Sequence, residues 1–314
     1  MSVTAVETRT VEEVRYSMAR ARRRRKRKEV GLAYLMLAPA LLIFAVFVFY
    51  PFAKNFQLAF YRTPPFPGLP KRWAGFDQIR EIVGSHEFRN SVWVTVKFTL
   101  FTVPVGLFLG ILLEVLAHQQ LKGIGVYRTI FSSTVASSVA VASVIFFTLL
   151  NPQVGLVNYY LGRAGGQGLL QDPKTALLMV SLVTIWLNVG FSFILMSAGL
   201  QAIPDEMFEA ARIDGAGAWR TFRQVTLPLL SPVIFFAVVV GTISAWQAFG
   251  QIDLLTQGGP LGSTNTLTYY VYKSFYERNN DGQAAVLAIS LFFIILLLTL
   301  FQMRFLERRV HYGS

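Results

Sequence analysis

The chain has no cysteine, only three histidines and little charge. Without cysteine there is no disulfide framework, no zinc–thiolate site and no thiol nucleophile. His86, His118 and His311 stand far apart in sequence, so no metal site is expected. Charged residues make up 15% of the 314 positions, against about 25% in soluble domains. Acids are scarcer than bases, 17 against 29, which leaves a net charge of +12. Hydrophobic residues are abundant at 54%. They gather in runs of about 20 residues, long enough to cross a bilayer as helix. Such runs exclude an ordinary soluble domain and a disordered chain.

The positive charge is uneven. Residues 1–30 hold ten Lys/Arg and four acids. The run Arg22–Lys28 has two readings, a nucleic-acid patch or a cytoplasmic arm drawn to anionic membrane lipid. An apolar stretch begins directly after it, which favours the arm, with membrane lipid and no nucleic acid as its neighbour. Having little apolar content to bury, residues 1–28 are expected to be disordered. Residues 29–314 then form the transmembrane domain. The segment before the basic run is polar, so no cleavable signal peptide is expected.

Six stretches predict membrane-spanning helices: Leu32–Ala53, Val92–Ala117, Thr129–Leu150, Thr175–Leu200, Pro228–Gly250 and Ala285–Met303. The third carries Ser132, Ser133, Ser137, Ser138 and several alanines, which suits close packing on neighbouring helices. With the N-terminus inside, inner segments hold eighteen Lys/Arg and outer loops nine. Both termini are therefore expected in the cytoplasm. Pro39, Pro51 and Pro104 are expected to kink or end helices where they fall.

The longest inner loop, residues 201–227, is punctuated as two short helices. Pro204 suits a first helical position, Asp205 and Glu206 the positive end of a helix dipole, and Gly215 and Gly217 a stop. Trp219–Val225 reads as a second helix, with Trp219, Phe222 and Val225 apolar. A soluble helical pair held between two spans can transmit force to a soluble partner. It can equally be a structured loop lying on the membrane surface. No Walker-A pattern is present, so ATP hydrolysis is not expected in this chain.

The string Glu209-Ala210-Ala211-Arg212-Ile213-Asp214-Gly215-Ala216, followed by Phe222, Leu227-Pro228-Leu229 and Pro232, resembles the EAA loop of binding-protein-dependent ABC importer permeases. Leu254-Leu255-Thr256-Gln257-Gly258-Gly259-Pro260 with Ser263-Thr264-Asn265-Thr266-Leu267, and Asn151-Pro152 with Gly155, resemble the carbohydrate subset. That subset comprises maltose-type oligosaccharide and glycerol-3-phosphate permeases. The ending from Arg304 to Tyr312 is similar to the glycerol-3-phosphate members. Unlike the enteric maltose permease, the chain lacks extra N-terminal spans and a large outer domain.

The resemblance implies an all-α integral membrane protein of the type I ABC importer permease fold, with six transmembrane helices and a cytoplasmic coupling loop. It implies a multi-pass subunit of the bacterial cytoplasmic membrane that imports a sugar or a related solute such as glycerol-3-phosphate. Its partners would be a second EAA permease forming a heterodimer, two ATPase subunits that bind ATP and magnesium, and an extracytoplasmic solute-binding protein. No cofactor and no catalytic residue are expected in this chain. Glu209, Ala210, Ala211, Asp214 and Gly215 would dock the ATPase.

Polar residues within spans are candidate substrate contacts. Ser244, Gln247 and Gln251 recur at i, i+3 and i+7, one face of one helix, with Trp246 and Phe249 near enough to stack on a sugar. Asn188 and Ser192 recur at i, i+4 in the fourth span, with Trp186 close by. Each of these residues can instead be a helix–helix hydrogen bond. Asp253 either caps its loop or touches substrate, and the loop 251–285 is expected to meet the binding protein. Lys97 is the one cation within a span, so a neutral sugar suits this chain better than a phosphate, which recruits Arg or Lys. Other readings are a permease for amino acids or peptides, a secondary transporter, which would carry an internal repeat and ion-coordinating acids, and an intramembrane enzyme. For the enzyme, Glu114 is the one clear candidate acid, isolated near an inner end.

Overall fold

The computed structural model describes residues 25–26, 28–64, 66, 68–117, 123–162, 166 and 168–306. Most of the basic arm, His118, Lys122, Arg163, Arg308, Arg309 and His311 lie outside the described residues. So does most of the disorder expected there. Arg25, Lys26 and Lys28 are helical, and Arg25 pairs with Glu29 at 3.0 Å. The chain divides into two units, with the boundary between Gln57 and Leu58.

The first unit is dominated by α1 (Lys28–Leu58), 31 residues long. At 1.5 Å per residue it extends about 46 Å, more than a ~30 Å hydrocarbon core requires. Leu35, Met36 and Phe47 are among its exposed apolar side chains. Pro39 is accommodated without ending the helix. Ahead of Pro51 the helix widens into a π turn, Ala45–Phe49. Proline has no N–H for the carbonyl four residues back, Phe47, and its ring crowds that carbonyl. A π turn moves the hydrogen bonds to the fifth residue and relieves both problems.

Among its described residues the second unit is mostly helical, with a two-stranded antiparallel hairpin, β1 (Tyr61–Arg62) and β2 (Arg72–Trp73). Its helices are α2 (Gly75–Val83), α3 (His86–Ala117), α4 (Ile124–Ser133), α5 (Val139–Leu149), α6 (Leu156–Tyr160), α7 (Ala176–Gln201), α8 (Asp205–Ile213), α9 (Ala218–Leu229), α10 (Ser231–Trp246), α11 (Gly250–Leu255), α12 (Leu267–Tyr272) and α13 (Asp281–Leu306). Among the described residues α1, α3, α7 and α13 are long and apolar enough to span, and two bent pairs bring the number to six if each is one span. Pro104 lies inside α3, which neither stops nor breaks there.

The third expected span is not one helix. Residues 124–136 and α5 meet at 102°. Hydroxyls cause this break. Ser132, Ser133 and Thr134 each donate to the carbonyl three residues earlier, at Thr129, Ile130 and Phe131. Such bonds compete with the α ladder, which tightens to a 3₁₀ turn over Thr134–Ala136. Ser137 and Ser138 then run extended, at ψ 127° and 134°. The fifth span also bends, by 64° between α9 and α10. There Pro228 follows a second π turn, Phe222–Thr226, with the same spacing as Pro51.

α7 is the centre of this unit and packs most extensively on α3. Missing side chains permit the approach. A Cβ added at Gly110 of α3 would sit 2.6 Å from Ser192 Cβ, and one at Gly199 would sit 2.8 Å from a Val233 methyl. One at Gly190 would collide with the Thr134 hydroxyl and sit 2.7 Å from the Phe131 carbonyl oxygen. Phe98, Val180, Val183 and Ile252 form the main buried cluster between these helices. At the start of α3, Glu87 receives both guanidinium nitrogens of Arg278, at 2.6 and 3.0 Å.

Glu114 is not isolated in space: it is buried and faces Arg128 at 3.9 Å. Arg128 also donates to the carbonyl of Ala117, the last residue of α3. The acid thus ties α3 to α4 and does not stand alone at a chemical site.

Overpacking a tight helix contact costs roughly 1–3 kcal/mol. Gly190→Val should therefore lower the melting temperature of the purified protein measurably, whereas Gly125→Val, at a position where an added Cβ meets nothing within 4 Å, should leave it nearly unchanged. Differential scanning fluorimetry in detergent reads both.

Candidate functional site

The broken spans enclose a cavity of about 620 Å³ between α3, α7, α10 and the start of α11. Ser244, Gln247 and Gln251 line it, as do Asn188 and Ser192 from α7. Three polar residues were not anticipated: Thr102 of α3, Thr184 of α7, and Ser137 at the break between α4 and α5. No lining residue is charged.

The i, i+3, i+7 pattern does not lie on one helix. α10 ends at Trp246, Gln247 closes it at φ −96°, ψ 3°, and Phe249 at φ −134°, ψ −63° precedes α11. The break turns Gln247 and Phe249 towards the cavity and Trp246 away from it. Trp246 is 2% exposed and packs with Phe88, Leu267, Tyr270 and Leu287, so it does not line the cavity. Trp186 stands edge-on to Phe146, also outside the cavity.

The polar groups form a short network. Gln251 Nε2 donates to Thr184 Oγ1 at 3.3 Å, and Asn188 Nδ2 donates to the Thr184 carbonyl at 2.8 Å. Thr102 and Thr184 return their own hydroxyl protons to backbone carbonyls within their helices, each at 2.8 Å. Their hydroxyl lone pairs and the amide groups of Gln247 and Gln251 give a wall of neutral donors and acceptors set in aliphatic surface. Lys97 contributes nothing here. Its ammonium lies over the Trp93 ring at 5.3 Å, on an exposed face. Asp253 also stands apart from the wall, beside the Tyr269 hydroxyl. Burial, with the nearby charges of Glu277 and Asp253, pushes the Tyr269 phenol up to about 12.

The second feature is the segment joining α7 to α10. Pro204 is the N-cap of α8 at ψ 139°, one position earlier than expected, and Asp205 and Glu206 occupy the first turn. The far end is a Schellman stop. Gly215 N–H donates to the Arg212 carbonyl, Ala216 N–H donates to the Ala211 carbonyl, and Gly215 takes φ +70°. Glu209, Ala210, Asp214 and Gly215 are exposed, while Ala211 is buried. Phe208 packs on Leu200, Ile203 and Leu230, the junctions with α7 and α10. Ile213 and Trp219 remain 85% and 73% exposed.

Several apolar helices long enough to span a membrane, a neutral polar cavity between them and a short helical segment joining two of them are the architecture of a membrane transport subunit. The profile of the binding-protein-dependent transport system inner membrane components matches residues 81–312. The chain belongs to that family, and is thus an inner-membrane subunit of a transport system. It is 36% identical over 287 residues to the sn-glycerol-3-phosphate transport system permease protein UgpA of Agrobacterium fabrum, covering 90% of this chain and 97% of that one. The corresponding protein of Escherichia coli O157:H7 is 32% identical, with coverage of 90% and 96%. Among solved structures, a bacterial ABC transporter involved in import of the acidic polysaccharide alginate superposes with a TM-score of 0.78. That match covers 90% of this chain and 96% of the other at 24% identity, a likeness of fold.

Because the chain has no native cysteine, single cysteines report accessibility directly. Ser244→Cys and Ser192→Cys should react with a small water-soluble maleimide in the purified protein, while Trp246→Cys should stay unlabelled. Gel shift with a polyethylene-glycol maleimide chase measures the difference.

Proposed function

We propose that this chain is the membrane-spanning subunit of an ATP-driven importer that carries a carbohydrate or a related hydroxylated solute such as glycerol-3-phosphate. The observation that carries this reading is the uncharged cavity walled by hydroxyl and carboxamide groups among aliphatic side chains. Such a wall satisfies the hydroxyls of a sugar while its apolar faces meet C–H surface. The relatives named as glycerol-3-phosphate permeases and the alginate importer support the class. This chain's wall suits a neutral sugar. A phosphate would draw its counter-charge from the partner permease, since charge-assisted bonds from Arg or Lys dominate phosphate recognition.

In this reading both termini are cytoplasmic, a second EAA permease closes the cavity, and two ATPase subunits bind ATP and magnesium below. An extracytoplasmic solute-binding protein delivers the substrate. Ser244, Gln247, Gln251, Asn188 and Ser192 face the path, with Phe249 taking the aromatic role first assigned to Trp246. Glu209, Ala210, Asp214 and Gly215 present the coupling surface, and Phe208 links α8 to the spans. Glu209 pairs with a cationic group of the ATPase.

The test is reconstitution of the chain with its partner permease, ATPase and binding protein, followed by uptake of labelled sugars and of glycerol-3-phosphate. Stimulation of hydrolysis by one of these solutes is expected; stimulation only by amino acids or peptides would overturn the class. Gln247→Ala should lower uptake at limiting substrate by up to about tenfold, the worth of one hydrogen bond at ~0.5–1.5 kcal/mol. Removing Glu209 should forfeit a charged contact of about 1.5–3 kcal/mol before solvent screening. The ATPase should then co-purify poorly with Glu209→Ala, although the two permeases still associate. Gly215→Val should have the same phenotype, because a β-branched residue at φ +70° unsettles the Schellman stop.

A further inference from the structure

Lys97, the one cation expected within a span, does not line the cavity, yet it belongs to a pattern. Arg89, Trp93 and Lys97 recur at i, i+4 and i+8 along α3, and Leu100, Pro104 and Phe108 continue the same side of the helix. All of these are exposed. The opposite side, with Ser91, Thr95, Phe98, Thr102 and Gly106, is buried. Depth along the stripe follows from the helix rise. A hydrocarbon core of ~30 Å takes about 20 helical residues. Counted back from Ala117, the last residue of α3, they end at Lys97. Leu100, Pro104 and Phe108 then lie in hydrocarbon, Lys97 at its edge, Trp93 among the headgroups and Arg89 at their outer rim.

The side chains agree with that depth. Lys97 Nζ lies over the Trp93 ring at 5.3 Å, so its stem already runs a turn towards the start of the helix and towards Arg89. An ammonium with an indole beneath it keeps N–H donors free. Among the described residues neither Arg89 nor Lys97 forms an ion pair. Glu87, the acid nearest Arg89 in sequence, gives both carboxylate oxygens to Arg278. Further along the stripe no residue is small. Helices that pack within a membrane approach over small residues, as α3 does at Gly110 against Ser192. Leu100, Pro104 and Phe108 are too bulky for such an approach and suit the flank of an acyl chain. Charge, indole, charge and then hydrocarbon is the polarity order of one lipid leaflet.

We propose that Arg89, Trp93 and Lys97 bind the headgroup phosphate of an anionic phospholipid, whose acyl chain lies along Leu100, Pro104 and Phe108. Two unpaired cations select a lipid of net negative charge over a zwitterionic one. The site is distinct from the basic arm, which precedes α1, and does not depend on the importer reading given above. It bears on the path through α3 itself. Thr102, which lines the cavity, stands five residues beyond Lys97, so a lipid held at Lys97 fixes the depth of a helix that forms the cavity wall.

The experiment places the purified full chain in phosphatidylcholine nanodiscs in which a fixed fraction of lipid is brominated on its acyl chains, either phosphatidylglycerol or phosphatidylcholine. Bromine quenches indole fluorescence on contact, and the part due to Trp93 is the difference from the same chain carrying Trp93→Phe. Brominated phosphatidylglycerol should quench Trp93 at a lower mole fraction than brominated phosphatidylcholine, by about fivefold for each cation engaged. Arg89→Gln combined with Lys97→Gln should abolish that preference, and Lys97→Arg should keep it. Millimolar inorganic phosphate at matched ionic strength should leave the quenching unchanged; its relief would make this a site for soluble phosphate and overturn the lipid assignment. Equal quenching by the two lipids in the unmodified chain overturns the proposal, as does a preference that survives the double glutamine variant. Loss of Trp93 quenching once the partner permease is present would overturn it too, by assigning the stripe to the permease interface.

Discussion

A peptide group stranded in hydrocarbon without a hydrogen-bond partner costs several kcal/mol. Every departure from continuous helix in this chain must therefore be satisfied locally or lie where protein or water can reach it. Two of them share one cavity, lined by Ser137 at the bend of the third span and by Gln247, Phe249 and Gly250 between α10 and α11. Thr102 and Thr184 contribute hydroxyls that already bond their own helices. Polar side chains at and beside the breaks thus face one cavity, together with hydroxyls of the unbroken helices α3 and α7.

The hub helix shows the opposite strategy. α7 keeps its backbone closed and gives up side-chain volume at Gly190 and Gly199, while α3 does so at Gly110. Neighbours then approach to van der Waals contact. Between lipid-exposed helices there is no hydrophobic gain to drive association, so close packing has to supply it. The unbroken helices hold the frame, and the broken ones shape what the frame encloses.

Much of this was legible in the sequence. Apolar length gave the spans, and the Pro204-to-Gly215 punctuation gave α8 to within one residue. Periodicity brought Ser244, Gln247 and Gln251 to one surface, although not for the stated reason. A 3.6-residue period assumes a continuous helix, and nothing in the composition marks Gln247–Phe249 as a break. The misplacement of Trp246 follows from that assumption, since the break reverses which neighbour faces inwards. The bend at Ser137 had a visible signal, three successive hydroxyl residues able to bond backwards. Those residues suit close packing equally well, so the run alone does not single out a bend. The pairing of Glu114 with Arg128 was hidden because the partners lie on different helices.

The 64° bend between α9 and α10 makes that pair a bell crank. Its short arm lies in the loop that presents Glu209, its long arm ends at Ser244 and Gln247, and Leu230 at the pivot is gripped by Leu200, Ile203 and Phe208. A straight rod would carry a thrust through the membrane as a thrust. A bent one turns a sideways displacement of one arm into an arc of the other. The angle of one corner, beside Pro228 and its π turn, therefore sets the direction of α9 relative to α10.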